Sequence, residues 1–460
     1  MDETLTFLAR YADDLTYGAL SSNAVREVKR RLIDSLGCAL GAYRFEPPSI
    51  ARAQALEATG TPGATVLGTA HRSTAELAAF ANGVMIRYLD FNDMSMAKHG
   101  GGHPSDMIAG VLAAAEYAAA DPSAVITGIV LSYEVMDRLA DECDISIGRG
   151  WDYATWIAIG SAYGASKALG LSREQTANAV AIAAVANVSL FQTRRGALSM
   201  WKGSAGGNGS RNGVFAALLA KRGMTAPAEA FNGESGFFRQ VAGGPISLPP
   251  FGGNGRRYKI EDSKLKAFPA DYEAQSAVHP ALKLHDDIEG RVDAIESVDI
   301  VTYGVAIRIA ADTPAKWAPT TRETADHSIP YLVAVALTRG DVGVDDFSIE
   351  RIRDTDLRKL MAKIRVRESE EFTRAYPEST RFRLELTTRS GDRHVAEVRY
   401  PKGHPKNAMT DNEVEDKFRR QAVDLLPADQ IDAVLETCWN LEQSASVGEL
   451  MTLLALPPDR

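Results

Sequence analysis

Apolar residues recur along most of this chain at the three- and four-residue steps that line one face of a helix. Val25, Val28, Leu32, Leu36 and Leu40 follow the cap candidates Ser21 and Ser22, and Gly41 predicts the stop. The same period, carried by Ala and Leu, predicts helices over 74–88, 105–120, 158–169, 173–189 and 212–222. Their small side chains permit close packing, so a large helical bundle is expected. The alanine-rich stretches AGVLAAAEYAAA and ANAVAIAAVANVSL are interrupted by Glu116, Asn178 and Asn187, well short of the ~18 clean residues of a membrane span.

The pattern changes after the glycine-rich FGGNGR at 251–256. Residues 297–308, SVDIVTYGVAIR, carry the β-branched run of a strand, and RFRLELTTRSGDRHVAEVRYP reads as two strands joined by a Ser-Gly-Asp turn. HSIPYLVAVALTRG and residues 354–364 between them have helical spacing, which returns over 411–439 and 447–454. The expected architecture is mainly α: a large all-helical domain built from residues 1–262 and 403–460, with a smaller α+β domain, 263–402, inserted as a lid. A cleft between two such domains is a natural place for a substrate. No internal repeat or low-complexity tract interrupts this organisation.

Composition adds limits. The 460 residues, 45% hydrophobic and 24% charged, are those of an ordinary globular protein with room for two or three domains. A net charge of −9 argues against nucleic acid or an anionic membrane as partner. Within this acidic chain, no Asp or Glu lies between Gln175 and Ala228, whereas Arg194, Arg195, Lys202, Arg211, Lys221 and Arg222 do. A one-signed stretch fits an anionic small ligand, and equally a solvated patch or a subunit contact. The acidic start, MDETLTFLARYADD, lacks a basic region ahead of an apolar run, and the expected location is cytoplasmic. Cys38, Cys143 and Cys438 are scattered, indicating neither a disulfide framework nor a zinc ribbon, and they weaken the case for an iron–sulfur cluster.

Three segments carry candidate chemistry. In YLDFNDMSMAKHGGGHPSD, residues 88–106, Asp90 and Asp93 precede a glycine run, and His103 meets Pro104 at an expected helix start. Asp90 and His103 are expected near one another, with the helix end favouring a neutral, proton-accepting imidazole. The plain alternative is that Asp90 and Asp93 end one helix while Ser105 and Asp106 cap the next. His99 and His103 have the spacing of a helical metal pair, but Gly100–Gly102 disfavour that helix, and no metal is expected. In QTRRGALSMWKGSAGGNGSRNG, residues 192–213, neither a P-loop nor GxGxxG spacing is present. Lys202, ahead of small residues and a helix, fits a point charge for a carboxylate, with Arg194 as a second clamp. In KLKAFPADYEAQSAVHPALKLH, residues 264–285, Glu273, Gln275 and His279 lie about a turn apart if Tyr272 onward is helical. His327 reads as a structural histidine.

Taken in order, these segments resemble the MmgE/PrpD family. The resemblance is carried by DSLGCALGA, LDFND then HPSD, GSAYGASKALGLS, QTRRGALSMWKG then RNGVFAALLAKRG, FNGESGFF, KAFPADYEAQSA and ADHSIPYLVAVAL, nearly the whole chain. It implies a homodimer and a cofactor-independent carboxylate lyase whose site lies between the domains. It implies that Asp90, His103 and Lys202 line that site, with Met94, Lys266 and Gln275 as substrate contacts, beside Asp93 and Arg194, which their own segments suggest. Relatives often carry Thr, His and His where this chain has Met94, Tyr153 and Gln275, departures that bear on the substrate more than on the reaction class. The expected substrate is a β-hydroxy polycarboxylate resembling 2-methylcitrate. His103 is the expected acid/base, Asp90 its partner, Lys202 the anchor and Tyr153 the donor to the leaving hydroxyl. Decarboxylation or epimerisation of a related di- or tricarboxylate, or ligand binding without turnover, are the alternatives.

Overall fold

The computed structural model describes residues 1–145, 148–195 and 198–457, and among them no helix is long and apolar enough to cross a membrane. The chain is mainly helical and forms two compact units, Met1–Lys264 with Thr410–Arg460, and Leu265–Met409.

In the first unit α1 spans Glu3–Asp14, α2 Ser22–Gly41, α3 Glu46–Leu56, α4 Ala75–Tyr88, α5 Ile108–Ala118, α6 Pro122–Glu142, α7 Ala154–Ala168, α8 Arg173–Ala186 and α9 Trp201–Lys221. The Ser21 side chain caps α2 by accepting from Ala24 N, and Val28, Leu32, Leu36 and Leu40 of its apolar stripe are buried. Strands β1 (Ala64–Thr65) and β2 (Arg72–Ser73) form one short hairpin. Strands β3 (Ser95–Ala97) and β4 (Gly100–Gly102) form another, so the His99-to-His103 stretch is not helical.

Three helix starts differ from expectation, and the first is α7, which begins at Ala154 instead of 158. The stretch expected to be a helix from 105 opens as a 3₁₀ turn, Pro104–Met107, before α5. More tellingly, α9 begins at Trp201 instead of 212, because the glycine-rich SAGGNGS is helical. Glycine costs a helix about 1 kcal/mol per residue relative to alanine, so packing must offset it. A Cβ on Gly207 would lie 2.8 Å from Phe80 O and Val84 N of α4, and one on Gly213 2.6 Å from Ala158 O and Ala162 N of α7. Bare backbone therefore lets α4 and α7 close onto α9, and the dense packing between these helices outweighs the lost propensity.

The C-terminal segment returns to this unit as helices Asp411–Ala422, Ala428–Trp439 and Val447–Leu453. Helix Asp411–Ala422 packs on α2, where the buried Lys417 Nζ lies 2.6 Å from Asp34 Oδ1, donates to Phe91 O at 2.7 Å and sits 3.7 Å over the Phe91 ring.

The second unit holds a four-stranded sheet in the order β6-β5-β7-β8, from β5 (Ile295–Thr302), β6 (Ile364–Glu368), β7 (Phe382–Thr388) and β8 (Arg393–Val398). Strand β5 stops at Thr302 and Gly304–Ala310 is a helix, so the strand expected to reach 308 is shorter. Strand β6, which starts at the last residue of the helix expected over 354–364, pairs in parallel with β5. The inner face, Ile295, Val298, Ile300, Phe382, Leu384, Leu386 and Ala396, shares one core with helices Val278–Asp287 and Ile329–Arg339. Residues 403–409 cluster with this unit, where Leu265 N donates to Gly403 O at 3.2 Å.

A Gly207→Ala variant drives a methyl into backbone that has no room to yield, and the expected loss is about 1–3 kcal/mol of unfolding free energy by denaturant titration. Gly203→Ala, whose nearest neighbour would be a Tyr88 side-chain atom at 3.3 Å, changes stability far less.

Candidate active site

Helix α4 is apolar along nearly its whole length, yet its last turn delivers a buried arginine, Arg87, and the chain then turns sharply at Asp90. Asp90 has φ 52, a left-handed conformation that costs an L-residue about 1 kcal/mol and that Asp tolerates better than most. The turn aims its carboxylate at three groups from three segments. Lys202 Nζ, on the first turn of α9, donates to Oδ2 at 2.7 Å. Arg87 Nη2 and Nη1 lie 3.3 Å from Oδ2 and Oδ1. His103 Nε2 is 3.9 Å from Oδ1. Asp90, His103 and Lys202, expected in one place, do converge, and each is no more than 6% exposed. Two cationic side chains, Lys202 and Arg87, thus face the Asp90 carboxylate, and burial strengthens the interaction.

The ring of His103 has a defined tautomer. Its Nδ1 lies 2.6 Å from the carbonyl oxygen of Asp93, which can only accept, so Nδ1 carries the hydrogen and Nε2 the lone pair of the neutral imidazole. The Asp93 side chain is consumed locally: Oδ1 accepts from Ser105 N at 3.0 Å, Oδ2 from Tyr133 Oη at 2.8 Å, and Arg31 Nε stands 3.7 Å away. In this structure it braces the histidine turn instead of presenting a group to a substrate.

Asp106, expected at most to cap a helix, proves to be central. It is fully buried; its Oδ2 accepts from Tyr153 Oη at 2.9 Å and its Oδ1 from Asn92 Nδ2 at 3.0 Å. A Cβ on Gly206 of α9 would fall 2.0 Å from Oδ2, so only glycine leaves space for the carboxyl. Burial raises its pKa to about 7 against the opposing pull of Arg87. Burial also raises the Tyr153 phenol, which keeps it protonated. Arg87 Nε donates to Tyr153 Oη at 3.0 Å, and Tyr153 packs edge-on to His103 with ring centroids 5.5 Å apart. Burial works against the Arg87 charge, but Asp90, Tyr153 and Asp106 more than offset it and raise its pKa well above the usual value. Arg194 is not placed as a carboxylate clamp for a ligand: its Nε and Nη2 grip Asp152 Oδ2 and Oδ1 at 2.5 and 3.2 Å, and its guanidinium lies over the Tyr153 ring.

Against this geometry the comparisons are specific. Residues 6–248 match the MmgE/PrpD N-terminal domain and residues 268–441 the MmgE/PrpD C-terminal domain. The chain belongs to the MmgE/PrpD family. It is 30% identical to a mitochondrial 2-methylcitrate dehydratase of Yarrowia lipolytica, over 94% of this chain and 86% of that protein. It is 31% identical to the 2-methylcitrate dehydratase of Escherichia coli K12, over 88% and 87%. Human cis-aconitate decarboxylase is 26% identical, over 96% and 92%.

The other positions singled out by the MmgE/PrpD resemblance are placed as follows. Met94, half-buried, exchanges backbone hydrogen bonds with Lys264 at 2.8 and 2.7 Å. Gly196 and Ala197 of the QTRRGALSMWKG segment lie outside the described residues. In the second unit Lys266 and Gln275 are buried, and Gln275 Oε1 accepts from Phe268 N at 3.3 Å. The expected helix from Tyr272 is a single turn, Tyr272–Gln275, followed by the separate helix Val278–Asp287. Glu273 accepts from Tyr376 Oη at 3.1 Å, while His279 Nε2 accepts from Lys402 N at 3.1 Å and is held neutral, with burial and then Lys402 lowering its pKa to about 4. His327 pairs with Asp326. Cys38, Cys143 and Cys438 are buried, and none of them is in a disulfide.

One buried carboxyl near the site sets a pH dependence of stability. Asp137 on α6 accepts from Ser95 Oγ at 2.7 Å, and burial raises its pKa to about 8. Between its ordinary value of 3.8 and about 8 the folded state holds a proton that the unfolded state has lost, so this group withdraws stability as pH rises through that window. Each pH unit removes up to about 1.4 kcal/mol. An Asp137→Asn variant is expected to lose this slope and to melt at a higher temperature than wild type at alkaline pH, as followed by thermal scans across pH.

Proposed function

We propose that this chain is a hydro-lyase that removes water from a β-hydroxy polycarboxylate of the 2-methylcitrate type by acid/base chemistry on its own side chains. The observation that carries the reading is the meeting of His103, Asp90 and Lys202, from three separated segments, in one buried cluster. A dehydration beside a carboxylate needs a base for a weakly acidic C–H, a proton for a poor leaving hydroxide and positive charge for the anion that develops. His103 Nε2 supplies the base, held in its tautomer by the Asp93 carbonyl, and Asp90 faces the imidazolium that forms. Lys202, with Arg87 behind it, anchors the substrate carboxylate. Tyr153 stands beside His103, where relatives often have histidine, and gives the leaving group its proton.

The test is turnover of small polycarboxylates by purified, chelator-treated protein, with 2-methylcitrate first. Ultraviolet absorbance from a new conjugated double bond, without release of carbon dioxide, supports dehydration. Carbon dioxide from cis-aconitate moves the assignment to decarboxylation, and activity that returns only with added metal overturns the cofactor-free chemistry. His103→Ala is expected to lower kcat by about 10²- to 10⁴-fold, and near-wild-type turnover would sink its role. Lys202→Met is expected to cost roughly 1–3 kcal/mol in kcat/KM, about 5- to 150-fold. The second-unit residues Lys266 and Gln275 enter as substrate contacts through the family resemblance, and Lys266→Met with unchanged KM removes that assignment.

The reading includes a homodimer. Val185 at the end of α8, Val188 and Leu190 beyond it, and Trp201 and Phe215 on α9 are between 46% and 59% exposed, a concentration of large apolar side chains in one stretch of an acidic protein. A second copy of the chain covers them in this reading. Phe215→Asp is then expected to shift the protein from dimer to monomer in light scattering, and an unchanged mass places the interface elsewhere.

A further inference from the structure

Among the described residues Arg87 and Asp106 are hydrogen-bonded to Tyr153 Oη, and they fix what its single hydrogen can do. Arg87 Nε donates to the oxygen at 3.0 Å; Asp106 Oδ2 lies 2.9 Å away and can either accept or, when protonated, donate. The far side of the carboxyl is already assigned, since Asn92 Nδ2 donates to Oδ1 at 3.0 Å and leaves Oδ2 as the oxygen that carries a proton. We propose that Asp106 is a positioning residue that sets the direction of the Tyr153 hydroxyl: as a neutral acid it donates to the phenol oxygen and turns the phenol hydrogen outward to the substrate, and as a carboxylate it takes that hydrogen for itself.

This rests on the reading of Tyr153 as the donor to the leaving hydroxyl. In the step, the carbon–oxygen bond breaks with its electron pair going to oxygen, and the Tyr153 proton joins the departing hydroxide to make water. The Asp106 proton passes to the phenol oxygen, while His103 has taken the proton from carbon and those electrons form the double bond. The enzyme is left with one proton more on His103 and one fewer on Asp106, and exchange with solvent restores both. The Asp106 charge so formed faces Arg87 on α4, Arg194 before α9 and, unfavourably, Asp93 in the turn after α4. Helix α9 meets it with Gly206, and the Lys202 of that helix is paired with Asp90. Tyr133 and Asp137 on α6 and Arg31 on α2 act on Asp93 next to it. The balance of these groups puts the carboxyl's proton loss at about 7, inside the working range of pH.

The expected wild-type result is a kcat that falls about tenfold per pH unit once Asp106 ionises. Asp106→Asn, whose amide donates to the phenol oxygen at every pH, loses that alkaline limb whatever its plateau; an unchanged limb overturns the proposal. Tyr153→Phe separates the two claims. Undiminished turnover in that variant removes Tyr153 as donor, and with it the step, whereas lost turnover with an intact limb in Asp106→Asn removes only the positioning role. A second readout needs no substrate. The near-ultraviolet tyrosine band, taken as wild type minus Tyr153→Phe, is expected to shift as the hydroxyl changes from acceptor to donor between about pH 5 and about pH 9, with no shift in the Asp106→Asn background. A band that stays still in the wild type overturns the proposal.

Discussion

The cluster is organised by one carboxylate held in an unfavourable backbone conformation. Asp90 adopts φ 52 at a conformational cost, and Lys202 and Arg87 bind its oxygens and offset it. Each partner depends in turn on tertiary structure. Lys202 reaches Asp90 because α9 is stripped to glycine where it meets α4, and Arg87 is buried because α4 is apolar around it. On the other side, Lys417 fixes the carbonyl of Phe91, the next residue along.

Burial gives these groups their character. In water a lysine, two aspartates, an arginine and a histidine would be screened and interchangeable. Within the bundle each hydrogen bond selects a state: the Asp93 carbonyl selects one imidazole tautomer, and Gly206 and Asn92 select one orientation of the Asp106 carboxyl. Removing any one partner leaves a buried polar group unpaired, which costs more than the pair contributes, so the network is held as a unit.

Much of the helical organisation was legible, because apolar periodicity is a local signal that α2, α4, α7 and α8 obey closely. Asp90, His103 and Lys202 were legible as candidates through their short motifs. What stayed hidden depends on partners far along the chain. Arg194 and Asp93 have the residue types of ligand contacts, but Asp152, Tyr133 and Ser105 occupy them, and no local spacing foretells that. Arg87 and Asp106 were missed; the available hint was an arginine set in the apolar run FANGVMIRY, three residues before Asp90. The glycine-rich start of α9 read as loop because propensity counts the entropy of glycine and knows nothing of the helices pressed against it.

Lys417 also imposes an order in time. A chain is synthesised from its amino end, so Asp34, Asp90, His103 and Lys202 all emerge well before the ammonium group that neutralises Asp34 and grips Phe91, which it follows by 326 residues. Until it arrives, sealing α2 would strand a carboxylate in a dry interior. The burial of Asp34 therefore depends on a helix, Asp411–Ala422, that is made long after α2 itself.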